Sequence, residues 1–286
     1  MQRATTLTLS AGLGLLATFG CSSSSDPAKV THTPPPAVCE PPGYPTEGEP
    51  VAITRVRASI RLPSGEIAAH LPVQVCGLNN CIVDESNESG TVNVALGGPP
   101  LVLAALKYGD GFDFAELAAQ LGSEPTQDLG ELVALPLPTF AEGAKFPKSG
   151  AVTNGDLTLQ LDSAGSFEHD ILAYSDDELV FRTVPVPIAD SQQALPPSFG
   201  FELAYGVAPL GTTFCPAAKL SVKNSAHWAP GTEVEVFVQG LDVTEKWAPY
   251  GTWLQVAEAR VSSDGSRIDT TSGGIPILTS IALRRK

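Results

Sequence analysis

The cysteines carry the most legible chemistry in this chain of 286 residues. Cys76 and Cys81 flank Gly77-Leu78-Asn79-Asn80, a turn-prone tetrapeptide between Leu71-Pro72-Val73-Gln74-Val75 and Ile82-Val83. A hairpin there brings the two sulfurs together, so Cys76–Cys81 is the economical disulfide. Setting Cys21 aside, the other pair is then Cys39–Cys215, which ties the N-terminal region to the C-terminal half. An even number of cysteines in an exported chain reads as disulfides, and four allow three pairings. The competing use is zinc, but a C-x4-C pair without a companion pair or a nearby His lacks the ligand spacing. No metal and no cofactor is expected.

Hydrolytic chemistry needs an activated nucleophile with a base in reach. The chain has neither a G-x-S-x-G elbow nor an H-E-x-x-H zinc motif. His32, His70, His169 and His227 stand apart. His169-Asp170 has the composition of a base and its orienter, yet neighbours on a strand point to opposite faces. No catalytic residue is assigned. Asp84-Glu85-Ser86-Asn87-Glu88-Ser89-Gly90 offers oxygen ligands but lacks the sixth-place Gly and twelfth-place Glu of an EF-hand loop. An acidic hairpin turn accounts for it, as a solvated turn does for Asp176-Asp177-Glu178. The candidate binding surface is aromatic. Trp247, Tyr250 and Trp253 recur at spacings of three, broken by Pro249 and Gly251, so they make no helical stripe. With Trp228 on a loop they could stack on a sugar or bury a partner's apolar patch. The alternative is that they plug the core.

The elements that must position these residues begin with an address. Residues 1–20 read as an export signal: Arg3 supplies the positive start, and Leu7–Phe19 is apolar and uncharged. That run suits a signal's apolar region and falls short of the ~20 residues of a spanning helix. From residue 21 to about residue 50 the chain is rich in Ser, Pro, Gly and Glu, including Pro34-Pro35-Pro36, a composition that favours an extended, disordered tether.

Beyond the tether, composition sets bounds. With 43% hydrophobic residues the chain can fill a core, while 25 Pro and 27 Gly make turns frequent and long helices scarce. The net charge of −14 makes nucleic acid and anionic membrane surfaces poor partners. Ile53–Leu62 alternates apolar and polar residues as a half-buried strand should, and Pro63-Ser64-Gly65 turns the chain. Val73 and Val75, then Val92, Val94 and Leu96, then Leu101–Leu106 supply further strands. Phe114–Leu121 fits a short helix capped by Asp113 or a strand. After about residue 148, Leu157–Leu161, Leu220–Val222, Thr232–Val238 and Gln255–Val261 alternate again, and Asn154-Gly155 is a two-residue hairpin signal. The expected fold is all-β, with two tandem β-sandwiches over residues 51–140 and 148–286.

Three stretches carry family resemblances. Thr18-Phe19-Gly20-Cys21 resembles the lipobox of bacterial lipoproteins, with Thr18 where that family favours Leu. The resemblance implies that Cys21 is lipidated and becomes the mature N-terminus. Ser22 in place of an Asp implies the outer membrane. Ordinary cleavage near Gly20 is the other reading of this segment. Pro63-Ser64-Gly65-Glu66, Asn87-Glu88-Ser89-Gly90-Thr91-Val92-Asn93-Val94 and Asp128-Leu129-Gly130-Glu131-Leu132-Val133 resemble carboxypeptidase-regulatory-like domains. Those are transthyretin-like β-sandwiches, accessory and non-catalytic in peptidases. Trp247–Trp253, Val261–Gly265 and Thr270–Ile275 resemble exported proteins common in myxobacteria, a likeness that implies no activity. The functional expectation is an exported envelope lipoprotein, held to the membrane through Cys21, that binds a protein or glycan partner without catalysis. The alternatives are a structural envelope component and, further off, a hydrolase whose residues converge only in the fold.

Overall fold

The computed structural model describes residues 49–169, 175–243 and 247–286. The expected signal segment, most of the expected tether, Cys21, His32 and Cys39 lie outside these residues. Among the described residues the chain forms nineteen strands and two single-turn 3-10 helices.

Alternation builds the first unit. β1 (Arg55–Arg61) buries Val56, Ala58 and Ile60 and turns its arginines outward. β2 (Pro72–Gly77) and β3 (Asn80–Glu85) form the hairpin, with Cys76 opposite Cys81 and the two disulfide-bonded. β4 (Thr91–Ala95), β5 (Ala105–Tyr108), β6 (Leu117–Gln120) and β7 (Thr126–Val133) complete it. One sheet runs β4-β1-β7 and the other β3-β2-β5-β6. β1 and β7 are parallel, with a bulge that sets Leu129-Gly130 against Ala58. Gly130 makes the bulge possible: its φ of +64° is a conformation that a β-carbon disfavours. The stretch that fitted either helix or strand is strand, since β6 pairs with β5 from Leu117 opposite Tyr108 to Gln120 opposite Ala105. Leu117, Ala118 and Ala119 are all buried, so no alternation marks this strand. Both of its faces are covered.

The second unit is one rolled sheet. Its strands are β8 (Ala144–Lys145), β9 (Gly150–Asn154), β10 (Leu157–Leu161), β11 (Ser166–Glu168), β12 (Val180–Pro185), β13 (Leu203–Ala208), β14 (Thr213–Lys223), β15 (Glu233–Gln239), β16 (Trp253–Val261), β17 (Arg267–Gly273), β18 (Ile275–Ile277) and β19 (Ile281–Arg285). They run β8-β12-β13-β19-β15-β16-β17-β14-β10-β9, with β11 and β18 also on β14. The all-β, sandwich-like layering expected of this region is present, but its layers are continuous and approach a barrel. Val152, Leu157, Leu159, Val207, Leu220, Val222, Val234 and Val236 fill the interior. The Asn154-Gly155 hairpin forms with Gly155 and Asp156 as its loop residues, leaving Asn154 as the last residue of β9.

The two units share a core. The cluster around Val56, Val73, Leu106 and Leu117 extends into Val186, Leu195, Phe201, Phe237 and Trp253 of the second unit. Exposing five such side chains at roughly 1.5–3 kcal/mol each makes hinge opening costly. At the seam, the Gln239 side chain reads the outer edge of β6 as a strand would. Its Nε2 donates to the Ala118 carbonyl at 2.7 Å and its Oε1 accepts the Ala118 N–H at 3.2 Å.

Candidate functional site

The candidate site is a groove along β14, and Pro216 explains why it exists. The N-terminal end of β14 pairs with β11 through Phe214 opposite Phe167. Its C-terminal end pairs with β10 through Lys219 opposite Gln160. Between them Pro216 has no N–H for a ladder, and the β10–β11 connection, Asp162-Ser163-Ala164-Gly165, turns away there. Asp162 Oδ1 accepts the Ala164 N–H at 2.7 Å. Gly165 must be glycine, because a β-carbon there would lie 2.8 Å from the Cys215 carbonyl oxygen and 2.9 Å from Pro216.

Two clefts flank this break. The larger, about 800 Å³, has a mixed lining, with the polar Ser149, Gln160, Asp162, Ser163 and Lys219 beside Leu161, Pro216 and Ala217. Lys219 Nζ donates to the Gly273 carbonyl at 2.6 Å, so the ammonium is held at the rim. The second, about 450 Å³, is aromatic and lined by Phe167, Phe214 and Trp247 together with Glu168, Thr213 and Cys215. A small pocket walled by Asp162, Phe167, Phe214 and Pro216 touches residues of both. Half-buried Trp247 offers ring surface to the aromatic cleft. Carboxylate, amide and hydroxyl groups beside an aromatic platform suit a polar ligand with apolar faces.

The three aromatic residues singled out from sequence do not form one surface. Trp253 is buried, its Nε1 donating to the Ala194 carbonyl at 2.8 Å and its ring meeting Phe201 edge-on. Tyr250 is buried against Cys76, Ala105 and Ala118 of the first unit. Burial, reinforced by the Glu116 and Asp242 carboxylates, raises its phenol above the usual range. Trp228 is buried too, with Asn224 bonding both its N–H and its carbonyl. Trp247 is the one of these four that lines either cleft beside β14. Cys215 is disulfide-bonded, and its partner lies outside the described residues.

His169 packs edge-on against Phe146 and Phe167, and partial burial lowers its pKa. Its Nδ1 lies 2.8 Å from Thr212 Oγ1. The Thr212 hydroxyl donates its single proton to the Pro209 carbonyl at 3.1 Å, so Nδ1 carries a hydrogen and donates to Thr212. In that tautomer Nδ1 cannot take a proton from the hydroxyl. His70 is exposed beside Glu85, and His227 is exposed. The acidic turn is organised by Asn87, whose Oδ1 accepts N–H groups of Ser89 and Thr91 at 2.9 Å. In the second acidic turn, Glu178 accepts from the Ser175 N–H and hydroxyl. Among the described residues no three His, Cys, Asp or Glu side chains are grouped to hold a metal ion.

Sequence reading missed one buried ionisable pair at the seam between the units. Lys107 Nζ lies 3.1 Å from Glu116 Oε1, with the two side chains only 13% and 10% exposed. Burial pushes the Glu116 carboxyl up to about 7 despite the ammonium, with Asp242 and Asp110 adding to the rise. No local pattern marks these residues, because their pairing follows from the register of β5 and β6.

Compared with known proteins, the chain matches no family model, no curated protein and no solved structure. Among the described residues no helix is long and apolar enough to cross a membrane.

Proposed function

We propose that this chain is an exported lipoprotein of the bacterial outer membrane, anchored through Cys21, whose fused β units form a non-catalytic binding module for an envelope or extracellular glycan. The observation that carries the binding reading is the groove along β14. It sets Trp247, Phe167 and Phe214 beside the Asp162, Gln160 and Ser163 polar groups. Sugar rings present apolar faces and hydroxyl edges together, which this alternation suits better than a purely apolar peptide. Export draws support from the Cys76–Cys81 bond and the second disulfide at Cys215, since such bonds persist in oxidising compartments. The first unit, with two sheets and a Gly-led entry into β4, is compatible with an accessory carboxypeptidase-regulatory-like module.

Two measurements test this. In a two-membrane bacterial host, Cys21→Ala should move the protein from the outer-membrane fraction to the soluble one; unchanged membrane fractionation contradicts the anchor. Titrating the protein with soluble peptidoglycan fragments and with cell-surface polysaccharide, read by tryptophan fluorescence, should give saturable binding that Trp247→Ala weakens about tenfold. The stacking contribution of one ring sets that factor at about 1.4 kcal/mol. Binding that is indifferent to both Trp247→Ala and Asp162→Ala removes the groove from consideration.

A further inference from the structure

We infer that the free edge of β3 is a strand-addition site that accepts an extended, basic segment of a partner protein. This does not rest on the glycan reading.

The register fixes which groups β3 has to offer. Its final contacts with β2 place Leu71 opposite Ser86, where the Ser86 N–H donates to the Leu71 carbonyl at 2.9 Å. On the other side of β2, the Pro72 carbonyl accepts from the Gly109 N–H near β5. Antiparallel alternation then turns Asn80, Ile82 and Asp84 toward β2, and the backbone N–H and C=O of Cys81, Val83 and Glu85 away from it. The Glu85 N–H is taken by its neighbour's Asp84 Oδ1 at 2.9 Å. Among the described residues nothing bonds to the outward groups of Cys81 and Val83.

Protein edges are usually blunted by charged residues, lysine above all, by proline, a bulge or a covering element, and the charges of β3 are confined to the carboxylates of Asp84 and Glu85 at its end. β3 reads Asn-Cys-Ile-Val-Asp-Glu, with neither Lys nor Pro, and it pairs with β2 without a register shift. The opposite edge of the same sheet, β6, is covered: Gln239 bonds Ala118, and the Ser280 hydroxyl donates to the Glu116 carbonyl at 2.9 Å. Val83 is 69% exposed, and apart from Ile67 it is the only large hydrophobic residue left so open among the described residues. The hairpin is also held rigid by its disulfide and by Asn79, which bonds the Pro100 carbonyl and the Val102 N–H. An edge that is unbulged, preorganised and apolar at its centre suits strand addition, in which backbone bonds supply affinity and alternate side chains supply selectivity.

Charge selects the occupant. Exposed Asp84 and Glu85 lie on opposite faces of β3, with exposed Glu88 just beyond, and His70 is the titratable neighbour at 3.0 Å from Glu85. A second copy would bring another such acidic strand, on a chain of net charge −14, against this one. A strand with Lys or Arg flanking a β-branched residue places its cations on the carboxylates and its apolar residue beside Val83.

The test uses a fluorescein-labelled hexapeptide, Lys-Thr-Val-Thr-Val-Lys, and its counterpart with both lysines replaced by glutamate, titrated with the folded protein and read by anisotropy. Saturable binding of the lysine peptide is expected, at least tenfold tighter than that of the glutamate peptide and weaker as salt is raised. Val83→Pro deletes an outward donor without touching a bond to β2, and should weaken binding at least tenfold. Asp84→Asn with Glu85→Gln should abolish the preference between the peptides. Should Val83→Pro unfold the hairpin, N-methylation of alternate peptide amides replaces it and should abolish binding. Affinity unchanged by Val83→Pro or by N-methylation, or no saturation up to millimolar peptide, overturns the inference. So does a protein that sediments as a dimer and becomes monomeric with Val83→Pro, because the occupant is then a second copy.

Discussion

The backbone N–H of Thr183 donates to Asn154 Oδ1 at 2.8 Å, and the Thr183 hydroxyl donates to the Asn154 carbonyl at 2.9 Å. Asn154 ends β9, the last strand of the sheet order, and Thr183 lies in β12, next to the strand at the other end. β8 covers β12 only at Val180 and Phe181, so Asn154 takes over where β8 stops. Its own Nδ2 donates to the Glu142 carbonyl at 2.9 Å. One side chain thereby closes the seam that a continued ladder would otherwise close, and removes an exposed edge.

Asn154→Ala should accordingly destabilise the protein by about 2–3 kcal/mol, because it strands the part-buried Thr183 N–H. Denaturant unfolding measures the loss, and amide exchange at Thr183 should accelerate. Asn154→Asp keeps the acceptor and loses only the bond to Glu142, so it should cost less. Equal costs would argue against the seam role.

Gly206 in β13 has no room for a side chain, since a β-carbon there would lie 2.3 Å from Ala115 Cβ of the first unit. Gly206→Ala should cost about 1–3 kcal/mol through overpacking. Ala115→Gly in the same chain should recover most of that loss, a coupling expected only of residues in contact. Additive effects would show that the two units do not meet there in solution.

Glu116 makes stability depend on pH in a stated direction. Its folded pKa of about 7 is above the ordinary 4.5, so the folded state binds the proton more tightly. That contribution is fully present below about pH 4.5 and is lost as pH rises to about 7, a change of roughly 3 kcal/mol for this shift. Glu116→Gln should flatten this window: its stability relative to the native chain should rise between pH 4.5 and 7. Parallel curves for the two proteins over that interval would refute the buried charge as the cause.

Arg182 of β12 reaches into the first unit, where its Nη1 donates to the carbonyls of Phe112 at 2.6 Å and Pro138 at 3.1 Å. Its guanidinium sits 3.9 Å over the Phe140 ring. Arg182→Met leaves those carbonyls without the donor and should cost about 3 kcal/mol. Arg182→Lys should restore little, because an ammonium cannot reproduce the planar fork. Thermal unfolding of both variants checks the order.

How much of this was legible follows from what each residue answers to. Val56, Ala58 and Ile60 face one side because strand side chains alternate, and that period is written in β1 itself. The Cys76–Cys81 hairpin is local as well: four residues and a turn bring the sulfurs together. The groove was only partly legible. Trp247 could be singled out by type, but Trp253 and Tyr250 share that type and lie in the core. What separates them is the neighbour on the far side, Phe201 for one and Ala105 for the other.

Sequence by itself determined that this chain is β, where its turns fall and which faces of its strands are apolar, because each property depends on neighbours one to four residues away. Tertiary structure alone decided that β14 serves β10, β11, β17 and β18, that Gln239 completes the edge of β6, and that Lys107 and Glu116 share a buried seam. Those contacts join residues far apart in the chain, and a polar side chain destined for a buried partner has the same local spacing as one destined for water. Only packing, by excluding solvent around the pair, makes the difference.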